Sequence, residues 1–597
     1  MNSADSPTAS SLSVDALQAR IEALESALLD GQKALEAERA RVEQLTAERD
    51  RLRASHERLR LELELLKKRI FVAKAERVDT QQLELEFAEK LAELTRLDQQ
   101  LAARLASEDL GGAEPAGPRG KGKAKPKGRR DLRLLNLPEE RIELPDPVFE
   151  DMVERGAAER IGFEESCKLG RKRGGLFRVV VARVKYRIPG ETPETTEIAT
   201  ASLPLEPFRR SMAAPSLLAQ IITDKFADGL PLNRIENRFA REGVSIDRGT
   251  MARWLEDAGA TLGATIVAAA RAEALVTAFC ISTDATGVSV QPGRQGDGDR
   301  IRQACRRANY FVLLADRDHV FFEYTPKETS RFVASMLHGF EGYVQADAKA
   351  VYDVLFVEPE ERRRRLSKGT ADPPPIDDCV RKEVACWSHG RRGFWEATVA
   401  KDPIAREGLA RIGRLFALEE QWRGRSAAEI RELREAYARP HLDSFFSWAE
   451  AEYQKVAKTR GLLPKALGYV VRHKEALMRY LEDGRLLLDN NHSERALRTI
   501  AVGRKAWLFV GSDGHGESAG RLLSLIASCR LHDLDPVAYL RDVIRVLAHW
   551  PRERYLELAP KYWPTTRARL DAEELAKEIG PITIPPVLSA SEEQPAA

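Results

Sequence analysis

From Val14 the apolar residues return in alternating steps of three and four, with Leu17, Ile21, Leu24, Leu28, Leu35, Val42, Leu45, Leu52, Leu59, Leu63, Leu66 and Ile70 on one seam. The positions between them are rich in Glu, Arg and Gln. A seam repeating every 3.5 residues must bury itself against another helix, so the pattern predicts a coiled coil and self-association. Gly31, Glu38, Arg49 and His56 interrupt the seam; such breaks often set register or oligomer state. One long amphipathic helix folded onto its own chain is the other reading. Together with the helical stretch 88–105, this segment is placed at residues 14–105.

The periodicity then stops. In the linker 106–130, residues 111–130 read GGAEPAGPRGKGKAKPKGRR, which has no apolar surface to bury. Arg119, Lys121, Lys123, Lys125, Lys127, Arg129 and Arg130 follow one another with no acid after Glu114. Such a tract attracts phosphate through counterion release; a merely solubilising linker would look the same. Residues 131–210 form a small β-containing module, signalled by the β-branched run Leu176–Arg187. Residues 211–270 are helical, with turns at Asp228–Pro231 and Gly243. Within them, 233–258 has the shape of a helix-turn-helix. Ser245 and Asp247 cap its second helix, which carries Arg248, Thr250, Arg253 and Trp254. That helix would face a DNA major groove, although a plain helical pair packed on a core fits the pattern equally well.

From Leu275 the pattern turns strand-like. Val276–Asp284 is an apolar run ending in an acid, and Ala308–Tyr324 gives two more runs split at Asp316–Asp318. A helix around Ser330–Phe340 precedes a short strand, Gly342–Asp347, that again closes on an acid. Three strands, a helix, a strand and then helices is the element order of an RNase H-like (retroviral integrase-like) core, whose first and fourth strands bring carboxylates face to face. A third acid comes from Leu488–Arg498, where Asp489 and Asn490 cap a helix that places Glu494, Arg495 and Arg498 within about one turn. Asp347 follows Asp284 by 63 residues, and Glu494 follows Asp347 by 147 (494 minus 347). The second gap requires an insertion, and 403–485 reads as almost wholly helical. The expected fold is therefore multidomain α+β: coiled coil, helical DNA-binding region and an RNase H-like catalytic core. That core spans 271–402 and 486–550 around the helical insertion, with a tail at 551–597.

Three carboxylates suit phosphodiester chemistry. Two Mg²⁺ (or Mn²⁺) ions held about 3.5–4 Å apart stabilise both the attacking and the leaving oxygen, and hard oxygen ligands hold them. Asp284 is assigned as the shared ligand, with Asp347 and Glu494 flanking. Any single acid among 92 means little; the triple gains weight from its fold order. The formal net charge of +2 announces no nucleic-acid binder, so clustering carries that argument. Six cysteines without a C-x-x-C pair fit a reducing compartment. No apolar leader opens the sequence and no stretch nears the roughly 18 apolar residues of a membrane span, so a cytoplasmic, nucleoid-associated protein without membrane contact is expected.

The blocks Leu481–Arg485, Asp489-Asn-Asn491, Glu494-Arg495, Arg498 and Gly503-Arg-Lys505 with Trp507-Leu-Phe509 resemble the large transposase of the IS66 family of bacterial insertion sequences. Leu534–Leu540 and Ala385-Cys-Trp-Ser-His-Gly-Arg-Arg392 with Phe394 follow its pattern too, as do Phe71 with Ala75-Glu-Arg77, Pro215–Ala219, Pro231–Arg234 and Arg241–Gly243. The resemblance runs from about residue 14 to 550. It implies that Asp284, Asp347 and Glu494 are a DDE triad that cleaves and transfers DNA strands at transposon ends, on double-stranded DNA and with small accessory proteins of the same element. The family's Cys-rich zinc module is reduced here to Cys167, so no zinc is expected. Its usual Glu-Thr after the first acid is Ala285-Thr286. Cys386 and His389 stand at metal-ligand spacing, but two ligands do not close a zinc site, and a packing role for Cys386 is the preferred reading. Arg391, Arg392, Arg495, Arg498, Arg504 and Lys505 are the expected phosphate contacts. A domesticated, non-catalytic DNA-binding protein and a nuclease that cuts without joining are the alternatives.

Overall fold

The computed structural model describes residues 132–587 except residue 173 and the segments 190–195, 209–210, 292–303 and 369–374. The expected coiled coil at 14–105 and the basic tract with Lys121, Lys123, Lys125, Lys127, Arg129 and Arg130 lie outside the described residues. The chain divides into two compact units, one of Met1–Gly122, Gly393–Leu409 and Lys458–Lys465, the other of Lys123–Arg392, Ala410–Ala457 and Ala466–Ala597. The described part of the first is helical segments with their turns. The second is a mixed α/β assembly with two sheets.

The smaller sheet holds β1 (Glu139–Leu144), β2 (Glu159–Lys172), β3 (Gly175–Ile188) and β4 (Glu197–Thr200), with β3 central. The β-branched run seen in the sequence is β3, whose Val179, Val181, Val184 and Tyr186 are buried. They are covered on both faces. Phe149 and Val153 of α1 (Pro147–Glu154) pack beside Val184 and Tyr186, while Val179 and Val181 meet Ala214 and Ile579.

Next come α2 (Pro215–Phe226), α3 (Leu232–Arg241) and α4 (Arg248–Leu262). Asp247 caps α4 by accepting the Gly249 N–H at 2.8 Å. A π-helical turn at Gly263–Val267 carries α4 on into α5 (Ala268–Thr277). The resulting helix, Arg248–Thr277, is long and apolar enough to cross a membrane by length and composition. Its Met251, Leu255, Ala258, Leu262 and Ile266 are instead buried in the protein core. The strand expected from Val276 starts later, because α5 continues through Thr277 and leaves Val276 83% exposed. Short apolar runs satisfy both periodicities, and the longer helix prevails here.

The larger sheet has the order β7-β6-β5-β8-β9. Strands β5 (Cys280–Val290), β6 (Arg306–Ala315) and β7 (His319–Thr325) form an antiparallel meander. After α6 (Ser330–Met336), β8 (Gly342–Ala346) joins β5 in parallel; after α7 (Pro359–Ser367), β9 (Arg381–Ala385) joins β8 in parallel. The chain then runs through α8 (Trp387–Val399), α9 (Pro403–Gln421), α10 (Ala427–Leu433), α11 (Arg439–Val456), α12 (Leu462–Arg472) and α13 (Lys474–Met478), matching the helical character read for 403–485. It returns through α14 (Asn491–Trp507), α15 (Asp513–Leu531) and α16 (Pro536–Val546).

Two devices fix the parts that carry the site. On the outer strand β7, the hydroxyls of Ser524 and Ser528 in α15 accept the Phe322 and Val320 N–H groups at 2.8 and 3.1 Å. An edge that would otherwise expose backbone donors is thereby closed. Gly520 permits this approach: a Cβ there would lie 2.5 Å from the Phe322 carbonyl oxygen. The second device is Arg434, buried between α10 and α11. It binds Glu419 through two nitrogens at 2.8–2.9 Å and donates to the carbonyls of Tyr480, Asp483 and Leu486. One side chain thus ties α9 and the junction of α10 with α11 to the segment leading into α14.

Candidate active site

Strands β5 and β8 pair in the register Cys280 with Tyr343, Ile281 with Val344 and Ser282 with Gln345. Continuing that offset brings Asp284 level with Asp347, which lies one residue beyond the end of β8 and not inside the strand as expected. The expectation that Asp284 ends its strand is corrected, since β5 pairs with β6 as far as Val290. Pairing with β8, by contrast, stops at Ser282. Asp284 therefore sits where β5 has lost one neighbour and kept the other, which opens a flank for its side chain. Past Asp347 the chain turns sharply, with Ala348 at φ +55°. A non-glycine residue in that region is strained, and such strain concentrates at functional sites.

Glu494 arrives on the first turn of α14. Asn490 occupies the N-cap position but makes no capping bond, contrary to expectation. Its side-chain amide donates instead to the Thr283 carbonyl at 2.7 Å, while Asp489 accepts the Asn491 N–H at 3.1 Å. The Asn490 N–H donates to Cys386 Sγ (3.2 Å), the Trp387 N–H to the Leu488 carbonyl (3.2 Å), and Ser388 Oγ to Asp489 (3.0 Å). Gln345 of β8 donates to the Leu487 carbonyl at 2.7 Å. Two distant sequence blocks, Cys386–His389 and Asp489–Glu494, are thus one hydrogen-bonded frame. Trp387 anchors it, buried with its Nε1 donating to the Leu477 carbonyl. Cys386 has the packing role preferred for it.

The three acids share one electrostatic neighbourhood. Burial, then the charges of Asp347 and Glu494, raise Asp284 to about 6, opposed by the Ala285 N–H and Lys349. Asp347 forms an ion pair with Lys349 at 2.9 Å, and Glu494 faces Arg392 at 3.4 Å. His389 is pushed down by burial, against the pull of Asp347 and Glu494. Sequence reasoning missed Lys349 altogether; its only signal was a cation two residues after a predicted strand-end acid.

Among the described residues no group of three or more His, Cys, Asp and Glu side chains could hold a metal ion in this geometry. The donor chemistry nevertheless suits a hard divalent cation, because carboxylates from three elements stand close enough for Asp347 and Glu494 to add to the rise of Asp284. Beside them Asn490 Oδ1 and Ser493 Oγ are buried without a hydrogen-bond partner.

The expected phosphate contacts divide into two sets. Arg495, Arg498 and Lys505 are exposed along α14, and Arg391 is exposed with its guanidinium 5.2 Å from the Phe416 ring centre. Arg504 is engaged elsewhere, donating to Thr286 Oγ1 at 3.2 Å and to the Gly287 carbonyl, and so clamps α14 onto β5. On α4, Arg248 and Arg253 are exposed, Arg253 donates to Thr250 at 3.2 Å, and Trp254 is buried.

Residues 210–518 match the transposase IS66 family, and residues 524–560 match the IS66 C-terminal element. The chain is 29% identical to the uncharacterized protein y4hP of Sinorhizobium fredii (strain NBRC 101917 / NGR234) over 62% of its own length and 66% of the relative's. It is likewise 29% identical to y4qI of the same strain, over 64% and 68%. The match to y4hP thus falls just short of two thirds of that relative. With the matched region reaching from α2 through the sheet, the acids and α16, the chain belongs to the IS66 transposase family.

Proposed function

We propose that the chain is a DDE transposase that cleaves and joins DNA strands at insertion-sequence ends, with Asp284, Asp347 and Glu494 as its catalytic acids. The observation that carries this reading is the convergence of acids from β5, the end of β8 and the first turn of α14, close enough for two of them to raise the third. The sheet order β7-β6-β5-β8-β9, antiparallel only in its first three strands, supports an RNase H-like core at 271–402 and 486–550 interrupted by the insertion 403–485.

Water would attack a phosphodiester at the element's end and free a 3′-hydroxyl, which would then attack a phosphodiester of the target. Asp284, Asp347 and Glu494 would hold two Mg²⁺ or Mn²⁺ ions, whose chemistry is charge stabilisation of the attacking and leaving oxygens. The frame around Asn490 fixes where Glu494 stands relative to Asp284. Lys349 and Arg392 neutralise Asp347 and Glu494 until the acids are needed. Arg391, Arg495, Arg498 and Lys505 offer positive charge to a DNA backbone, as do Arg248 and Arg253 on α4 and the tract Lys121–Arg130, while Thr250 offers a hydroxyl. The segment 14–105 would join protomers.

The test is movement of the intact element in cells, with its neighbouring genes, for wild type against Glu494→Gln. Movement by wild type alone supports the reading, and equal movement by both removes Glu494 from the site. If neither moves while the protein still binds the flanking DNA, the alternative of a domesticated, non-catalytic regulator replaces it. Ala285, standing where the family has Glu, and the lost cysteines of the zinc module favour that alternative.

A further inference from the structure

A cavity of about 760 Å³ lies between α2–α4 on one side and the far end of α14 with the start of α15 on the other. It is separate from the acids. Its α14 wall is Thr499, Gly503 and Trp507, one helical face, and Trp507 lies 13 residues after Glu494, roughly 20 Å along the axis. The volume falls in the usual range for small-molecule sites.

Its lining combines two chemistries. Lys225 and Arg248 contribute cations. Lys225 is half-buried, and burial lowers its pKa to about 8. No carboxylate among the described residues lies within ion-pair distance of it, since its neighbour Asp224 is bonded to Arg238 and Gln220. The Glu256 carboxylate on the same wall faces His515 at 3.6 Å. With no carboxylate paired to it, the Lys225 ammonium is available to an anion. The second chemistry is aromatic: Trp507 and Phe509 line the same space. They are set by a strained turn, with Leu508 at φ +65° and the Phe509 N–H donating to the Trp507 carbonyl at 2.8 Å. Gly503 makes room for the indole, because a Cβ there would fall 2.7 Å from Trp507 Nε1.

We propose that this cavity binds one nucleotide, its phosphate on Lys225 and Arg248 and its base against Trp507 and Phe509. Cations beside aromatic faces are how proteins hold unpaired nucleotides irrespective of sequence. The nucleotide can be free or part of an unpaired DNA strand, and the inference does not require the acids to be catalytic.

The experiment uses the full chain carrying Glu494→Gln, so that no cleavage confuses the readout. Calorimetric titration with deoxyadenosine monophosphate tests the free nucleotide. A duplex ending in a single-stranded 2-aminopurine tail, compared with a blunt duplex carrying the same base, tests the strand. Saturable binding in either arm, weakened at least tenfold by both Lys225→Met and Trp507→Ala, is expected. Absence of binding in both arms, or binding indifferent to the two substitutions, overturns the proposal.

Discussion

The side-chain amide of Asn490 donates to the Thr283 carbonyl at 2.7 Å, so the first turn of the Glu494 helix hangs on the residue that precedes Asp284. This contact spans 207 positions of sequence and joins two of the three acids' elements directly. Replacing Asn490 with Ala leaves a buried carbonyl without its donor, a loss of about 1–3 kcal/mol. Transposition should fall much further than stability, because the loosened helix displaces Glu494. Thermal unfolding run beside the cellular movement assay separates the two; a proportionate fall in both would mean that Asn490 merely stabilises the fold.

The raised pKa of Asp284 sets a pH dependence. An acid whose folded pKa is about 6 instead of 3.8 binds its proton more tightly when folded. Its contribution to stability is complete below about pH 4 and is lost as the pH rises through about 6. Asp284→Asn cannot ionise, so the variant should gain on wild type as the pH climbs from 4 to 7. Binding of Mg²⁺ competes with that proton, so added Mg²⁺ should raise the melting temperature of wild type at pH 7.5 and do little at pH 5. A wild-type response to Mg²⁺ that is equal at both pH values would show that Asp284 does not hold the ion.

Much of this arrangement was legible in the sequence because it depends on local pattern. The run closing on Asp347 and the split at Asp316–Asp318 announced β8, β6 and β7. The helix after Asn490 was marked by its polar start, and the helical insertion by its length. What stayed hidden depends on partners far away in sequence. Nothing near Val276 says that a helix arriving from Arg248 continues through it. Asn490 reads as a cap because its true acceptor is on another element, and Arg504 reads as a phosphate ligand because its acceptors are on β5. Lys349 becomes meaningful only once Asp347 is known to lie level with Asp284.

The helices of 403–485 offer a test of stability alone. Arg434 is almost fully buried and is bound to Glu419 and three carbonyls. Truncation to Ala strands those acceptors and leaves Glu419 unpaired, a loss of about 3–5 kcal/mol by analogy with other broken buried pairs. Chemical denaturation should show this as a lower midpoint at unchanged slope. A loss below about 1 kcal/mol would mean that water replaces the guanidinium and that the insertion is held by packing.

Lys349 poses the most direct question about the acids. Its ammonium stands 2.9 Å from Asp347 and 3.9 Å from Glu328; although burial opposes its charge, these acids and Asp284 raise its pKa. In the metal-free protein it does part of what a divalent ion would do, neutralising an acid that Asp284 also feels. Lys349→Met should therefore lower the melting temperature without metal, as the carboxylates lose their nearest cation. The same variant should gain more from Mg²⁺ than wild type does, because the ion no longer competes with an ammonium for Asp347. Melting curves with and without Mg²⁺ at pH 7.5 decide between this account and one in which Lys349 serves only as a surface partner. In the second case the variant would melt like wild type without metal and respond to Mg²⁺ in the same way.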